Sequence, residues 1–206
     1  MSIIKLNNRA VRSATAVGTT TQFGSMVLIK KLTASSSATL SFVDGTSSVV
    51  LDNTYKEYLF IFKDIHPETN NANFTFNFSA DSGSNYNVTK TTSFYYAYNN
   101  EGGSATALQY RTDYDLAQST NFHILAAEVG NDDDETTSGH VTLFNPSSTT
   151  FHKHFLSRAS HYQGSNYVID NHTGGYGNTT SAVDAVQFKM SSGNIDAGTI
   201  TLYGIN

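Results

Sequence analysis

Two histidines, His152 and His154, stand one residue apart in the segment Thr-Phe-His-Lys-His-Phe-Leu and are the pair best spaced to share a metal ion. On a strand, positions i and i+2 leave the same face, so both imidazoles would approach one ion. Two ligands do not complete a tetrahedral site; a three-fold axis would have to supply the rest. The acidic run Asp132-Asp133-Asp134-Glu135 carries hard oxygen donors but lacks the EF-hand spacing and its central glycine, and it reads as a solvated loop. Gly174-Gly175-Tyr176-Gly177 matches no phosphate-binding pattern, and a tight turn presenting Tyr176 accounts for it. No Gly-x-Ser-x-Gly elbow is present, and nothing singles out two of the 17 acids as a glycosidase pair. The expectation is a protein that is not an enzyme, with no catalytic residue, no cofactor and no metal site beyond the weak His152/His154 candidate.

Tyrosine is the other residue type with chemistry to offer. Tyr95, Tyr96 and Tyr98 precede Asn99-Asn100-Glu101, and Tyr162, Tyr167 and Tyr176 lie among Asn and Gly. A tyrosine ring stacks on the apolar face of a sugar, while neighbouring amides and carboxylates hold its hydroxyls. Tyr96, Tyr98, Tyr162 and Tyr176 are therefore candidate glycan contacts. The same residues also build polar sheets and subunit interfaces.

The elements that must position these side chains are strands. Thr, Ser, Asn, Val, Phe and Tyr abound, with 12 Tyr and 13 Phe among 206 residues, and only two prolines interrupt the chain. Asn71–Ser79 alternates cleanly, placing Phe74, Phe76 and Phe78 on one face and Thr75, Asn77 and Ser79 on the other. Val186, Phe188 and Met190 alternate in the same way, and Ile200 and Leu202 point inward in the closing segment. Strands are also expected at Ser25–Thr33, Thr39–Val43, Ser48–Leu51, Tyr55–Ile65, Tyr86–Thr91, Thr92–Tyr98, Gly139–Phe144 and Thr150–Leu156. Phe122–Val129 has the best claim to a helix, though its length also suits a strand. Asn171–Thr180 reads as a Gly-rich loop. Turn signals about every ten residues predict an all-β fold, a jelly-roll-like β-sandwich of about 10–12 strands.

Charge divides the chain. Five cations and no acid precede Asp44, whereas the remainder holds seven cations and 17 acids, a balance of −10. Residues 1–24 read as an extended N-terminal arm before a sandwich domain over 25–206, with Lys5, Leu6, Arg9, Val11 and Arg12 as its candidate partner-docking residues. Three cations in that arm are too few to grip a polyanion, so no nucleic-acid partner is expected. No segment is apolar enough to span a membrane, and the N-terminus lacks the apolar core of a signal peptide. Cysteine is absent, which removes disulfides and thiolate chemistry. The five Asn-x-Ser/Thr sequons, at Asn73, Asn77, Asn87, Asn171 and Asn178, are what an Asn-, Ser- and Thr-rich chain produces by chance.

The closing segment SSGNIDAGTITLYGIN resembles the ending of virion proteins of marine tailed bacteriophages, in which a β-sandwich finishes on a Gly-x-Ile-x-Leu-Tyr-Gly strand. The opening IIKLNNRAV and the stretches MVLIKKLTASSSATLSF and LDNTYKEYLFIFKDI are similar to the same group, so the resemblance runs over nearly the whole chain. It implies a virion structural protein, assembled in the host cytoplasm as a homo-oligomer, with a trimer the expected order. Capsid decoration or a head fibre docking by its arm onto another virion protein is the role favoured; a tail-fibre adhesin binding host-surface glycan is the alternative.

Overall fold

The computed structural model describes residues 25–206, which form twelve strands and no helix. The arm over 1–24, with Lys5, Leu6, Arg9, Val11 and Arg12, lies outside the described residues. The strands are β1 (Met26–Thr33), β2 (Leu40–Val43), β3 (Glu57–Pro67), β4 (Ala72–Ser79), β5 (Lys90–Asn100), β6 (Thr106–Tyr110), β7 (His123–Val129), β8 (Thr137–Phe144), β9 (Lys153–Gln163), β10 (Tyr167–Gly177), β11 (Ala185–Met190) and β12 (Ile195–Ile205).

Every pairing is antiparallel. Long ladders run β1-β12-β3-β8-β9-β10-β5-β6, and a second run is β7-β4-β11-β2. A single register pair, Val129↔Gln163, joins the two through β7 and β9, so one hydrogen-bonded surface folds back on itself like a sandwich. Between the runs lies the phenylalanine core. Phe62 meets Phe74 at 5.2 Å, Phe60 meets Phe188 at 5.5 Å, and Phe155 meets Phe76 at 5.0 Å, mostly edge-to-face or tilted. Phe74, Phe76, Phe78, Phe60 and Leu202 are all fully buried, as the period-two alternation requires. Each such side chain contributes roughly 1.5–3 kcal/mol of burial.

The closing strand explains its own composition. Gly198 holds φ +113°, where a Cβ would stand 2.5 Å from the Asp64 carbonyl oxygen, and Ile200 and Leu202 enter the core. Gly204 lies beneath the ring of Tyr55, whose atoms stand 2.3–2.5 Å from where a Cβ would be. Gly-x-Ile-x-Leu-Tyr-Gly is thus a bulge glycine, two core residues and a glycine under an aromatic ring.

The free edge of β7 is closed by side chains. The Leu125 carbonyl accepts from Asn171 Nδ2 (3.2 Å) and the Ala127 carbonyl from His161 Nε2 (2.6 Å), both reaching across from the larger run. This disposes of edge acceptors that would otherwise be orphaned, and it explains why polar Asn171 and His161 are buried. Asn171 and, on β4, Asn77, two of the sequon asparagines, are buried and have no access to a glycan.

Several local expectations are corrected. Phe122–Val129 is no helix but a strand from His123 onward, β7, which pairs with β4 along one edge. Ser48–Leu51 is no strand: Ser48 ends a turn and Val49–Leu51 is irregular, with Leu51 N–H bonded to Asp44 Oδ1. The strand expected at Tyr86–Thr91 begins only at Lys90; the segment before it crosses the outer side of β4, where Asn77 Nδ2 donates to the Tyr86 carbonyl. Thr75, Asn77 and Ser79 are consequently buried along with the Phe face. The Gly-rich stretch Asn171–Thr180 is no loop up to Gly177. It is the second half of β10, and its glycines leave room for neighbours, since a Cβ on Gly175 would strike Phe155 at 2.9 Å.

Candidate binding site

At one end of the larger run, β5, β6 and β10 extend past β7 and expose part of their inner face. Residues Phe94, Tyr96, Tyr98, Tyr167 and Ile169 lie on that face by alternation, together with Gln109 opposite Tyr96. Phe94, Tyr96 and Ile169 are buried, and Tyr98, Tyr167, Tyr114 and Ile124 pack against them as a second, smaller apolar cluster. The rings meet edge-to-face, Tyr96 with Tyr98 at 5.8 Å and Tyr98 with Tyr167 at 5.7 Å. The result is an open groove of about 230 Å³, lined by Tyr96, Tyr98, Gln109, Tyr167, Ile169, Glu128 and Gln163.

Glu128 enters the groove from a bulge in β7. Ala72 pairs with Val129 and Phe74 with Ala126, so two β7 residues oppose the single residue Asn73. Asn73 Oδ1 accepts the Glu128 N–H at 2.8 Å, and Glu128 adopts φ +57°. Ala127 and Val129 stay buried while the Glu128 side chain is turned outward. Its carboxylate is held at both oxygens, Oε1 accepting from the Tyr114 hydroxyl (3.1 Å) and Oε2 from Gln163 Nε2 (3.2 Å). Burial, with the Glu128 charge behind it, pushes the Tyr114 phenol up to about 12, so it remains a donor at neutral pH. Arg111 braces the outer wall. Its guanidinium stacks 4.1 Å over Tyr114 and 5.1 Å over Tyr96, donates to the Tyr96 hydroxyl, and is paired with Asp113, which raises its pKa further.

Of the four tyrosines expected to contact glycan, the fold brings Tyr96 and Tyr98 together and separates the others. Tyr162 lies on the opposite face of the sheet, its hydroxyl within hydrogen-bond reach of two acceptors, Glu101 Oε1 (3.1 Å) and Asn166 Oδ1 (3.0 Å). Tyr176 sits on strand β10 and not on a turn, opposite His154. Both candidate metal ligands pack on its ring, His152 at 5.5 Å and His154 at 5.9 Å. Among the described residues no group of three or more His, Asp or Glu side chains is placed to hold a metal ion. In the acidic loop Asp132, Asp133 and Asp134 are exposed, but Glu135 is buried and folded back, Oε2 accepting the Asp132 N–H at 3.0 Å. Glu128, Gln109 and Gln163 escape sequence reading. The i, i+2 spacing of Tyr96 and Tyr98 signals a shared face, but no local signal marks a bulge that turns Glu128 towards them.

The outer face of the larger run is a second feature. Leu28, Leu108, Tyr110, Leu156 and Val168 are 60, 73, 56, 56 and 51% exposed, with Tyr95 at 42% stacked flat on His172. Register places all of them on the solvent side, spread from β1 through β9 and β10 to β6. A bidentate ion pair, Arg158 to Asp170, lies among them.

The fold and these two surfaces define an all-β antiparallel domain with a tyrosine-lined groove and an outer sheet face on which exposed apolar side chains stand among polar and charged ones. No protein family, no curated protein and no solved structure matches the chain.

Proposed function

We propose that the chain is a non-enzymatic structural protein of a tailed-bacteriophage virion, a decoration or head-fibre protein of jelly-roll type that self-associates through its outer sheet face. The observation that carries this reading is that face. An ordinary solvated sheet alternates apolar inward with polar outward, and here Leu28, Leu108, Tyr110, Leu156 and Val168 break the rule on one side of one sheet. Cyclic association of copies, a trimer being the expected order, would cover such a face by pairing each sheet with its neighbour's. The basic arm 1–24 would dock on another virion protein. In extended form it would add main-chain hydrogen bonds to a neighbour's sheet edge, which needs no core of its own.

Sedimentation of the intact chain tests the first part. The expected result is an oligomer that Leu156→Glu together with Leu108→Glu reduces to monomer without loss of the β-type circular dichroism spectrum. A wild-type protein that stays monomeric at the highest concentration it reaches in solution, or an oligomer unchanged by the double variant, refutes it. Deleting residues 1–24 tests the second part: the body should remain folded and fail to attach to virions lacking this protein. Attachment equal to that of the full chain removes the arm from the proposal.

The alternative, a tail-fibre adhesin that binds host-surface glycan, is favoured by one observation, the open groove that joins Tyr96, Tyr98 and Tyr167 to a fixed carboxylate. Imaging of labelled protein on intact particles separates the two roles: density over the head supports decoration and density at the tail tip supports the adhesin.

A further inference from the structure

We propose that the groove is a saccharide subsite that accepts one neutral, pyranose-sized ring at the end or branch of a glycan, with Glu128 as the residue that orients its hydroxyls. The inference rests on the glycan-binding reading above and assigns it a place and a ligand chemistry.

Size sets the first limit. At about 230 Å³ and open to solvent, the groove is smaller than the roughly 300–1,000 Å³ of pockets that enclose a whole small molecule. It suits one ring of a larger ligand whose remainder stays outside. The walls set the second limit. Tyr98 and Tyr167 supply aromatic surface for the C–H face of a sugar, with the buried Tyr96 backing them, while Gln109, Gln163 and Glu128 supply amide and carboxylate groups that discriminate hydroxyl positions.

Charge sets the third limit. The groove lining carries one ionised group, Glu128, and no cation. Arg111 is nearby but committed to Asp113 and to the backs of Tyr96 and Tyr114. A phosphate, a nucleic acid or an acidic sugar would meet an uncompensated carboxylate. Three tyrosines with a carboxylate could also cage a quaternary ammonium, but a second cation against Tyr96 would be repelled by the guanidinium already over that ring.

The backbone supplies the independent observation. Of the described non-glycine residues with positive φ, only Glu128 and Gln118 carry side chains longer than Ser, Asn or Asp. A left-handed conformation at Glu is unfavourable, and the bulge would be built more easily with Gly or Asn. Glu128 stands where its backbone is strained and its carboxylate is clamped by Tyr114 and Gln163 at the groove, a combination expected when the side chain serves a ligand.

Saturation-transfer NMR on the intact chain, with neutral hexoses, N-acetylhexosamines, sialic acid and tetramethylammonium as probes, decides the matter when run with Tyr98→Ala, Glu128→Gln and Glu128→Gly. A neutral saccharide should show transfer with the wild type, and Tyr98→Ala and Glu128→Gly should each weaken binding by roughly tenfold or more. Gly accepts φ +57° without strain, which offsets the lost bonds to Tyr114 and Gln163, so Glu128→Gly should melt close to the wild type and lost binding would report on the missing side chain and not on unfolding. Saccharide binding left intact in all three variants overturns this site but spares the glycan reading. Absence of saccharide binding by the wild type overturns both. Stronger transfer to sialic acid or tetramethylammonium overturns the ligand class, and a markedly lower melting temperature for Glu128→Gly overturns the strain argument.

Discussion

Lowering the pH from 7.5 to 4.5 is expected to remove about 5 kcal/mol of stability through two buried histidines. His161 is 3% exposed and its ring is satisfied as a neutral group, Nε2–H donating to the Ala127 carbonyl and Nδ1 accepting from Asn171 Nδ2. A second ring proton would point at that amide N–H. Burial pushes His161 down to about 4, the Ala127 carbonyl opposing only partly. His123 is fully buried among Phe76, Phe94 and Phe155, with the Thr92 hydroxyl at Nδ1 and the Lys90 ammonium nearby, and burial together with that charge pushes it down to about 3. Both folded values lie below the unfolded value of about 6.5, so the unfolded chain takes up protons first as pH falls. The stability is fully present above about pH 6.5 and is lost towards pH 4; at pH 4.5 the relation RT ln(1 + 10^2) gives about 2.7 kcal/mol for each histidine, slightly less for His161. Against a typical total of about 5–15 kcal/mol, that is enough to bring the domain near its unfolding midpoint. Asp52, Asp81, Asp113 and Asp170, whose hydrogen bonds lower their pKa values, lose their contributions only at still lower pH and do not confound this window. Urea titrations at pH 7.5, 6.5, 5.5 and 4.5, followed by far-UV circular dichroism because the chain has no Trp, measure the loss directly. His123→Phe should remove about half of it. The same variant should be nearly neutral at pH 7.5, since it deletes a buried Nε2 that has no partner. A stability at pH 4.5 within about 1 kcal/mol of that at pH 7.5 would refute the reasoning.

Three further outcomes follow from the core. Phe76→Ala, which empties a site bounded by the rings of Phe78, Phe155 and Phe188, should lower urea stability by about 3–5 kcal/mol; a loss under about 1 kcal/mol contradicts its central position. Lys90 is buried with Nζ donating to Asn77 Oδ1 and the Val88 carbonyl, and burial pushes it down to about 7. Its unfolded value is higher, so stability should rise by about 2 kcal/mol from pH 7 to pH 9, and Lys90→Met should abolish that rise in the same titration. Gly204→Ala should displace the Tyr55 ring and cost about 1–3 kcal/mol, read as a fall in melting temperature; an unchanged melting point would mean that the ring moves freely.

Composition and period-two alternation were enough to determine the fold class and much of the core. Phe74, Phe76 and Phe78, then Val186, Phe188 and Met190, declare their shared faces locally, because side chains on a strand must alternate whatever the strand pairs with. Gly198, Ile200, Leu202 and Gly204 were equally visible as a pattern, although the reason for each glycine is a contact with a distant residue, Asp64 or Tyr55. Tertiary structure alone decided what covers each face. Asn77 and Lys90 are polar residues that a local reading sends to solvent, yet they are buried because the segment before β5 folds across β4 and supplies their partners. The stretch from Asn171 to Gly177 is turn-like by composition, but pairing on both edges with β5 and β9 outweighs that preference and makes it an interior strand. The groove follows the same logic. Tyr96 and Tyr98 share a face by their spacing, but their meeting with Tyr167 depends on β10 register, and with Glu128 on a bulge 30 residues away that no short-range pattern encodes. Alternation is a property of the backbone at each residue, whereas register, bulges and the overhang of one sheet beyond another are properties of pairs far apart in the chain.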